Sequence, residues 1–358
     1  MGLTLTNDPI EPLAEKWSLR IDEVREARER ARSKRQEFKE ICAKEKLLTQ
    51  DTSVVVFGSL ARDEYTVGSD ADWTLLIDGE ANSDHSRVAR RISALIGSIF
   101  EAPNPTGAFG GMTFSHQLIH NIGGPDDTNA NTTQRVLMLL ESRSIHGLGD
   151  AAYGRVVRGI LNRYVEQEIS HLNQEHTTYK VPRFLLNDIV RFWRTMAVDF
   201  ASKQWARGGQ GWGIRNAKLR LSRKLIYISG LLTCFSCPLD GDLNSKIDSE
   251  RDRALQLVNH LRQCVKNSPL EVLASFLLAY DTTGDASKLI FTAYNEFLGI
   301  LNDVGKRQHL QDLRAEDSAR DSLFLEIRRV SDAFQEGLDK FFFENHNILP
   351  LTKKYGVF

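Results

Sequence analysis

The sequence predicts an α+β protein in which a small mixed β-sheet precedes an all-helical region. Two short apolar runs, 53–57 and 71–77, flank a Gly58-Ser59 turn, and a third, 112–119, follows a glycine-rich stretch at 107–111. Beyond residue 150 the apolar residues recur at helical spacing with no strand-like run.

Each element has a local reason. Residues 19–48 interleave acids and bases at spacings of three and four among good helix formers, which predicts a solvated helix leading into the first strand. Strand one is expected over 53–57, a turn and helix over 58–66, and strand two over 71–77. A helix follows at 84–100, with Val88, Ile92, Leu95, Ile96 and Ile99 on one face. Pro103 and Pro105 break the chain before the third strand, 112–119. This β-α-β-α-β order places helices on one side of the sheet. Residues 123–128 carry turn chemistry and precede a helix expected over 132–146. Further helices are expected at 153–172, 182–205, 214–232, 246–266, 269–281, 286–304 and 317–343. The resulting division is an N-terminal helical segment at 1–49, a sheet domain at 50–150 and a helical domain at 151–358.

Composition sets outer bounds. At 358 residues the chain exceeds one average domain, and 41% hydrophobic with 26% charged residues describes an ordinary protein with a real core. A net charge of −1 argues against coating nucleic acid by bulk charge, while leaving room for a local basic groove. No apolar run approaches the roughly 18 residues of a membrane span, and the N-terminus lacks a basic region followed by a long apolar stretch, so a cytoplasmic protein without membrane contact is expected. Four scattered cysteines do not make a disulfide framework. Cys234 and Cys237 have zinc-like spacing but no second pair, which predicts buried thiols near a helix end. His116 and His120 stand four apart, yet Gln117 occupies the place where a zinc-helix motif needs glutamate.

The chemistry concentrates between 54 and 77. Side chains on a strand repeat direction every two residues, so Asp70 and Asp72 are expected on one face with Ala71 on the other. Two hard oxygen ligands converging there suit Mg²⁺, with Mn²⁺ as the alternative. Such an ion completes its shell with water and substrate phosphates. The Gly58-Ser59 turn can hold those phosphates through backbone N–H groups and the Ser59 hydroxyl.

Gly58-Ser59, Ala61-Arg62, Glu64, Ser69-Asp70 and Asp72 together resemble the signature of the polymerase-beta-like nucleotidyltransferase superfamily, Gly-Ser followed about ten residues later by Asp-x-Asp. The resemblance implies catalytic, metal-binding Asp70 and Asp72, an NTP substrate, and phosphate contacts from Gly58, Ser59, Arg62 and Ser69. Arg62 contacts phosphate or pairs with Glu64; the residues leave both open. Ser115-His116, Thr132 and Leu139-Leu-Glu141-Ser-Arg143 are similar to motifs of PII uridylyltransferases and related bacterial nucleotidyltransferases. That likeness covers about 50–150, and the chain has no room for their hydrolase and ligand-sensing domains.

One departure from the superfamily pattern concerns a third carboxylate from the next strand, because 112–120 contains neither Asp nor Glu. Asp126 and Asp127 in the following turn are placed to reach back, and His116 is a candidate polar contact near the metals. Glu141 is expected to pair with Arg143 or Arg135. In the helical half, Asn187, Arg191 and Arg194 share a helix face, a flexible glycine loop follows at 208–213, and Arg215, Lys218, Arg220, Arg223 and Lys224 crowd five cations into ten residues. A triphosphate or an RNA backbone is a suitable partner, with Lys218 and Arg220 or Arg223 closing over the nucleotide.

The expected reaction is Mg²⁺-dependent transfer of NMP from an NTP to an acceptor hydroxyl. The likeness to protein-modifying enzymes implies a protein acceptor, by AMPylation or UMPylation. Nucleotide addition to RNA, or synthesis of a nucleotide signal, is the alternative acceptor chemistry. A catalytically degenerate nucleotide-binding regulatory module is the alternative of another class. The helices at 19–48 and near 323–334 pack on their own domain or carry a dimer or partner contact.

Overall fold

The computed structural model describes residues 8–100, 109–146, 151–169, 181–206, 208–241, 243 and 250–356. Contacts divide the chain into two compact units that alternate along the sequence. The first comprises Met1–Glu26, Thr177–Lys246 and Pro269–Phe358; the second comprises Ala27–His176 and Ile247–Ser268.

Helix α1 (Ile10–Trp17) lies in the first unit, and α2 (Asp22–Glu45) enters the second at Ala27. The second unit continues with β1 (Thr52–Val56), α3 (Gly58–Ala61), β2 (Trp73–Ile77), α4 (Asp84–Ile99), β3 (Gly111–Phe114), α5 (Ser115–Ile119), α6 (Asn129–Leu140), β4 (Arg143–Ser144) and α7 (Ala151–Ile169). The four strands form one mixed sheet in the order β3-β2-β1-β4. β1 pairs antiparallel with β2 and β4, and β2 pairs parallel with β3. The α+β class expected from the sequence is what the chain adopts.

Every residue of β1 and β2 is buried, which requires cover on both faces of the sheet. Val54, Val56, Trp73, Leu75 and Ile77 join Phe38 and Cys42 of α2 and Ile92, Leu95 and Ile96 of α4 in one core. Helix α7 packs against β1 and β2, and Tyr153 N donates to Ser53 Oγ at 3.1 Å. The expectation of helices on one side is therefore corrected. Val55 and Leu76, at 0% exposure, alternate with the first set and need this second layer.

Two boundaries differ from the sequence reading. The third strand ends at Phe114, and the run expected to extend it to 119 is helix α5. Gly159 of α7 explains why this turn of helix fits, since a Cβ there would lie 2.8 Å from Ile119 Cδ1. Helix α6 stops at Leu140 instead of 146. Val54 O accepts a hydrogen bond from Ile145 N at 3.1 Å, so the edge of β1 captures the chain as β4 despite its helical apolar spacing.

The first unit holds α8 (Arg183–Ala206), α9 (Trp212–Lys218), α10 (Lys224–Leu239), α12 (Pro269–Tyr280), α13 (Asp285–Asn302), α14 (Val304–Asp312), α15 (Ser322–Asp339) and α16 (Leu349–Leu351); α11 (Glu250–Cys264) falls in the second. The helix expected at 214–232 is interrupted by a π-helical turn, Leu219–Arg223. The glycine loop before it is docked, because Gly211 N donates to Gln311 O at 3.0 Å and a Cβ on Gly213 would lie 2.7 Å from Leu310 O. No helix among the described residues is long and apolar enough to cross a membrane.

Candidate active site

The site is built where β1 leaves the sheet. Phe57 is still extended, and its N–H donates to the Asp72 carbonyl at 2.9 Å, holding the two segments together past the last paired residues. The chain then turns at Gly58, whose φ is +67°. A side chain there would be strained in this left-handed backbone. A Cβ would also lie 3.2 Å from Asp72 Oδ2, so the carboxylate rests directly against the turn. Backbone conformation and close approach select glycine independently.

Strand β2 begins at Trp73, so Asp70 and Asp72 sit on the segment entering the strand and not within it. Ala71 is fully buried in the core, whereas Asp70 and Asp72 on either side are half-buried. This alternation continues the pleat of β2 and supports a common direction for both carboxylates, away from the core of α2 and α4.

Behind the turn lies a knot of buried charge. Arg62 Nε donates to Glu64 Oε2 at 2.9 Å, and its Nη1 donates to Glu141 Oε2. Asp63, with φ +62°, receives Arg35 Nη2 at 2.5 Å and Arg143 Nη2 at 3.5 Å. Arg35 also donates to Leu60 O, and Arg143 Nε to Ala61 O at 2.9 Å. Burial pulls the Arg35 guanidinium below its ordinary range; Asp63 opposes that pull and Arg143 adds to it. Ser69 is buried as well. Its Oγ accepts from Thr66 N at 3.2 Å and stands 3.1 Å from Thr66 Oγ1, while Tyr65 Oη donates to Ser69 O at 2.7 Å. These bonds shape the loop that delivers Asp70.

The structure thus brings Gly58 and Asp72 into contact and puts Arg62, Ser69 and Glu141 into the supporting framework. Glu141 pairs with Arg62, not with Arg143 or Arg135 as the sequence suggested, because β4 carries it back beside the end of β1.

His116 and Asp127 go elsewhere. In the β2–β3 register Gly111 lies opposite Thr74 and Phe114 opposite Ile77. His116 is therefore past the Ile77 end of β2, whereas Asp72 precedes the Trp73 end. Five residues of strand correspond to about 16 Å, so the register separates His116 from Asp72 along the sheet. Its ring instead lies 5.0 Å from that of His120. Asp127 receives both terminal nitrogens of the fully buried Arg135, at 3.1 and 2.9 Å, and Gly123 N at 3.1 Å. It ties the 123–128 turn to α6. Among the described residues no three His, Cys, Asp or Glu side chains are grouped to hold a metal ion.

The remaining candidates belong to the first unit. Arg191 is half-buried on α8. Lys218, Arg220 and Arg223 are half-buried around the π-helical turn, where Arg220 Nε donates to Asn216 Oδ1 at 2.8 Å. Lys224 Nζ donates to Gln335 Oε1 at 2.6 Å. Burial lowers the Lys224 pKa and the neighbouring Arg220 lowers it further, against the opposing pull of Asp339 and Asp332.

Sequence reasoning missed Arg35 and Asp63. Both lie in stretches dense with charge, where nothing in the spacing marks two residues 28 apart as partners.

The site thus pairs a positive-φ glycine turn with an aspartate that enters a paired strand. Residues 35–100 match the family model described as nucleotidyltransferase domain, consistent with a polymerase-beta-like nucleotidyltransferase. The match runs from Arg35 in α2 to Phe100 after α4 and contains the turn, both aspartates and β2. None of the curated proteins matches this chain.

Proposed function

We propose that this protein transfers NMP from an NTP to an acceptor hydroxyl, with Asp70 and Asp72 holding a divalent cation and the Gly58-Ser59 turn holding the phosphates. The single observation that carries the reading is the contact of the Asp72 carboxylate with Gly58. Cation ligand and phosphate turn are then one site, as a metal–triphosphate substrate requires.

The donor set fits Mg²⁺ or Mn²⁺. Two half-buried carboxylates offer hard oxygens, and the glycine keeps the space beside them clear of a side chain. When bound, the ion neutralises charge on the phosphate oxygens. The chain's own residues do the rest. The turn's backbone N–H groups and the Ser59 hydroxyl orient the β and γ phosphates. The acceptor oxygen then attacks the α phosphorus, the bond to the bridging oxygen breaks, pyrophosphate leaves and the hydroxyl proton is released. Arg62 and Ser69 serve by shaping the turn and the loop before Asp70.

The acceptor is a protein side-chain hydroxyl, on the strength of the resemblance to protein-modifying uridylyltransferases. A second reading, RNA as the acceptor, draws on the basic run around the π-helical turn, where Arg220 and Lys224 donate to the side-chain amides of Asn216 and Gln335. Four free, buried cysteines support a reducing, cytoplasmic setting. Incubation with each α-³²P-labelled NTP, Mg²⁺ and a cell extract tests the proposal. Label on protein fits the first acceptor, and label on RNA or in a small product fits the second. NTP binding with no label anywhere refutes transfer and leaves a regulatory nucleotide-binding module.

A further inference from the structure

We infer that Arg143 is a positioning residue that braces the phosphate turn from its carbonyl end, acting together with Arg35 through Asp63. The inference rests on the nucleotidyl-transfer reading for its kinetic consequence, while the brace itself stands on geometry.

Helix α3 is a single turn, Gly58–Ala61, too short to hold its own shape. Its last carbonyls end without a continuing helix to receive them. The Leu60 carbonyl accepts from Arg35 Nη1, and the Ala61 carbonyl accepts from Arg143 Nε at 2.9 Å. Asp63, immediately beyond, sits at φ +62°, a conformation that aspartate tolerates better than most residues. Its two carboxylate oxygens divide between the same two guanidinium groups, Oδ1 to Arg35 and Oδ2 to Arg143. Each arginine thus grips both a carbonyl of the turn and the residue that reverses the chain after it. Arg143 carries a third bond, Nη1 to Lys266 O at 2.9 Å, which anchors the brace to the segment following α11. Only a planar, multiply donating group spans three acceptors in this way.

The ion pairs separate a brace from a substrate contact. Arg35, Arg62 and Arg143 are interlocked with Asp63, Glu64 and Glu141. The guanidinium groups of this cluster are engaged by carboxylates and by the turn's carbonyls. What it supplies is position: register β4 to β1 puts Arg143 opposite Val56, two residues before Gly58.

The test uses the full chain and two conservative variants. Arg143→Lys keeps the charge but not the fork, and Asp63→Asn keeps the left-handed backbone but not the charge. Amide hydrogen exchange is followed in the 58–64 peptide, with the 92–99 peptide as internal control. The brace predicts exchange at 58–64 faster by about tenfold or more in each variant, with 92–99 unchanged. In an active enzyme, Arg143→Lys then lowers kcat/KM by about 10- to 100-fold. Combined with Ser59→Ala, it adds little to the loss from Ser59→Ala alone, since both act through one turn. Unchanged exchange at 58–64, or full additivity with Ser59→Ala, overturns the inference and leaves the transfer reading standing. Faster local exchange in variants of a protein whose wild type transfers no NMP refutes the transfer reading and leaves the brace intact.

Discussion

Two regions of this molecule are rich in arginine and lysine, and their side chains take different hydrogen-bond partners. Around the turn after β1, Arg35, Arg62 and Arg143 each meet a carboxylate. Around the π-helical turn at 219–223, Arg220 and Lys224 donate to the neutral side chains of Asn216 and Gln335, and Arg215 donates to the backbone carbonyls of Gly211 and Gln210. The first region uses cations to fix a backbone. The second holds Arg215, Arg220 and Lys224 on carbonyls and side-chain amides, with Asp339 and Asp332 acting on Lys224 as well. Density of basic residues along a sequence therefore says little about which cations face a ligand; the partner decides.

The contrast is broken or sharpened by removing charge from each region. The largest effect is expected from Asp70→Asn with Asp72→Asn, which lowers NMP transfer by about 10³-fold or more, as loss of charge stabilisation in a transition state does. Circular dichroism of the double variant should match wild type. In the first region, Arg62→Ala removes a cation shared by buried Glu64 and Glu141, and urea unfolding should show about 3 kcal/mol of destabilisation. Gly58→Ala comes next. A methyl group in a left-handed backbone and 3.2 Å from Asp72 Oδ2 costs about 1–2 kcal/mol and lowers activity by displacing the carboxylate.

The smallest effect belongs to the second region and has a sign. Because the Lys224 pKa is lowered in the folded protein, the unfolded chain holds this proton more tightly. Stability then rises as pH climbs from the folded pKa toward the ordinary lysine range, and the cost of charging is fully present below that window. Lys224→Met should abolish this alkaline rise, measured as Tm against pH in both proteins.

Much of the site was legible because its residues are close in sequence. Gly58, Ser59, Asp70 and Asp72 fall within fifteen positions, and both the turn and the alternation follow from local rules. The supporting framework was less legible. Arg62 and Glu141 are 79 residues apart, and their pairing depends on β4, a two-residue strand set by the edge of β1 and not by its own propensity. His116 is a related case. Its motif looked like strand, but the chain leaves the sheet at Phe114, and a parallel register carries it away from Asp72. Helix α14 and the π-helical turn were missed because short helices and helix irregularities leave almost no periodic signal.

The central claim is that Asp70, Asp72 and the Gly58 turn form one site for a cation and a polyphosphate. Calorimetric titration of NTP with and without Mg²⁺ tests it most directly, in wild type and in the Asp70→Asn, Asp72→Asn variant. Binding strengthened by Mg²⁺ in wild type, with that strengthening lost in the variant, is the predicted result. An equal Mg²⁺ dependence in both proteins would contradict the account.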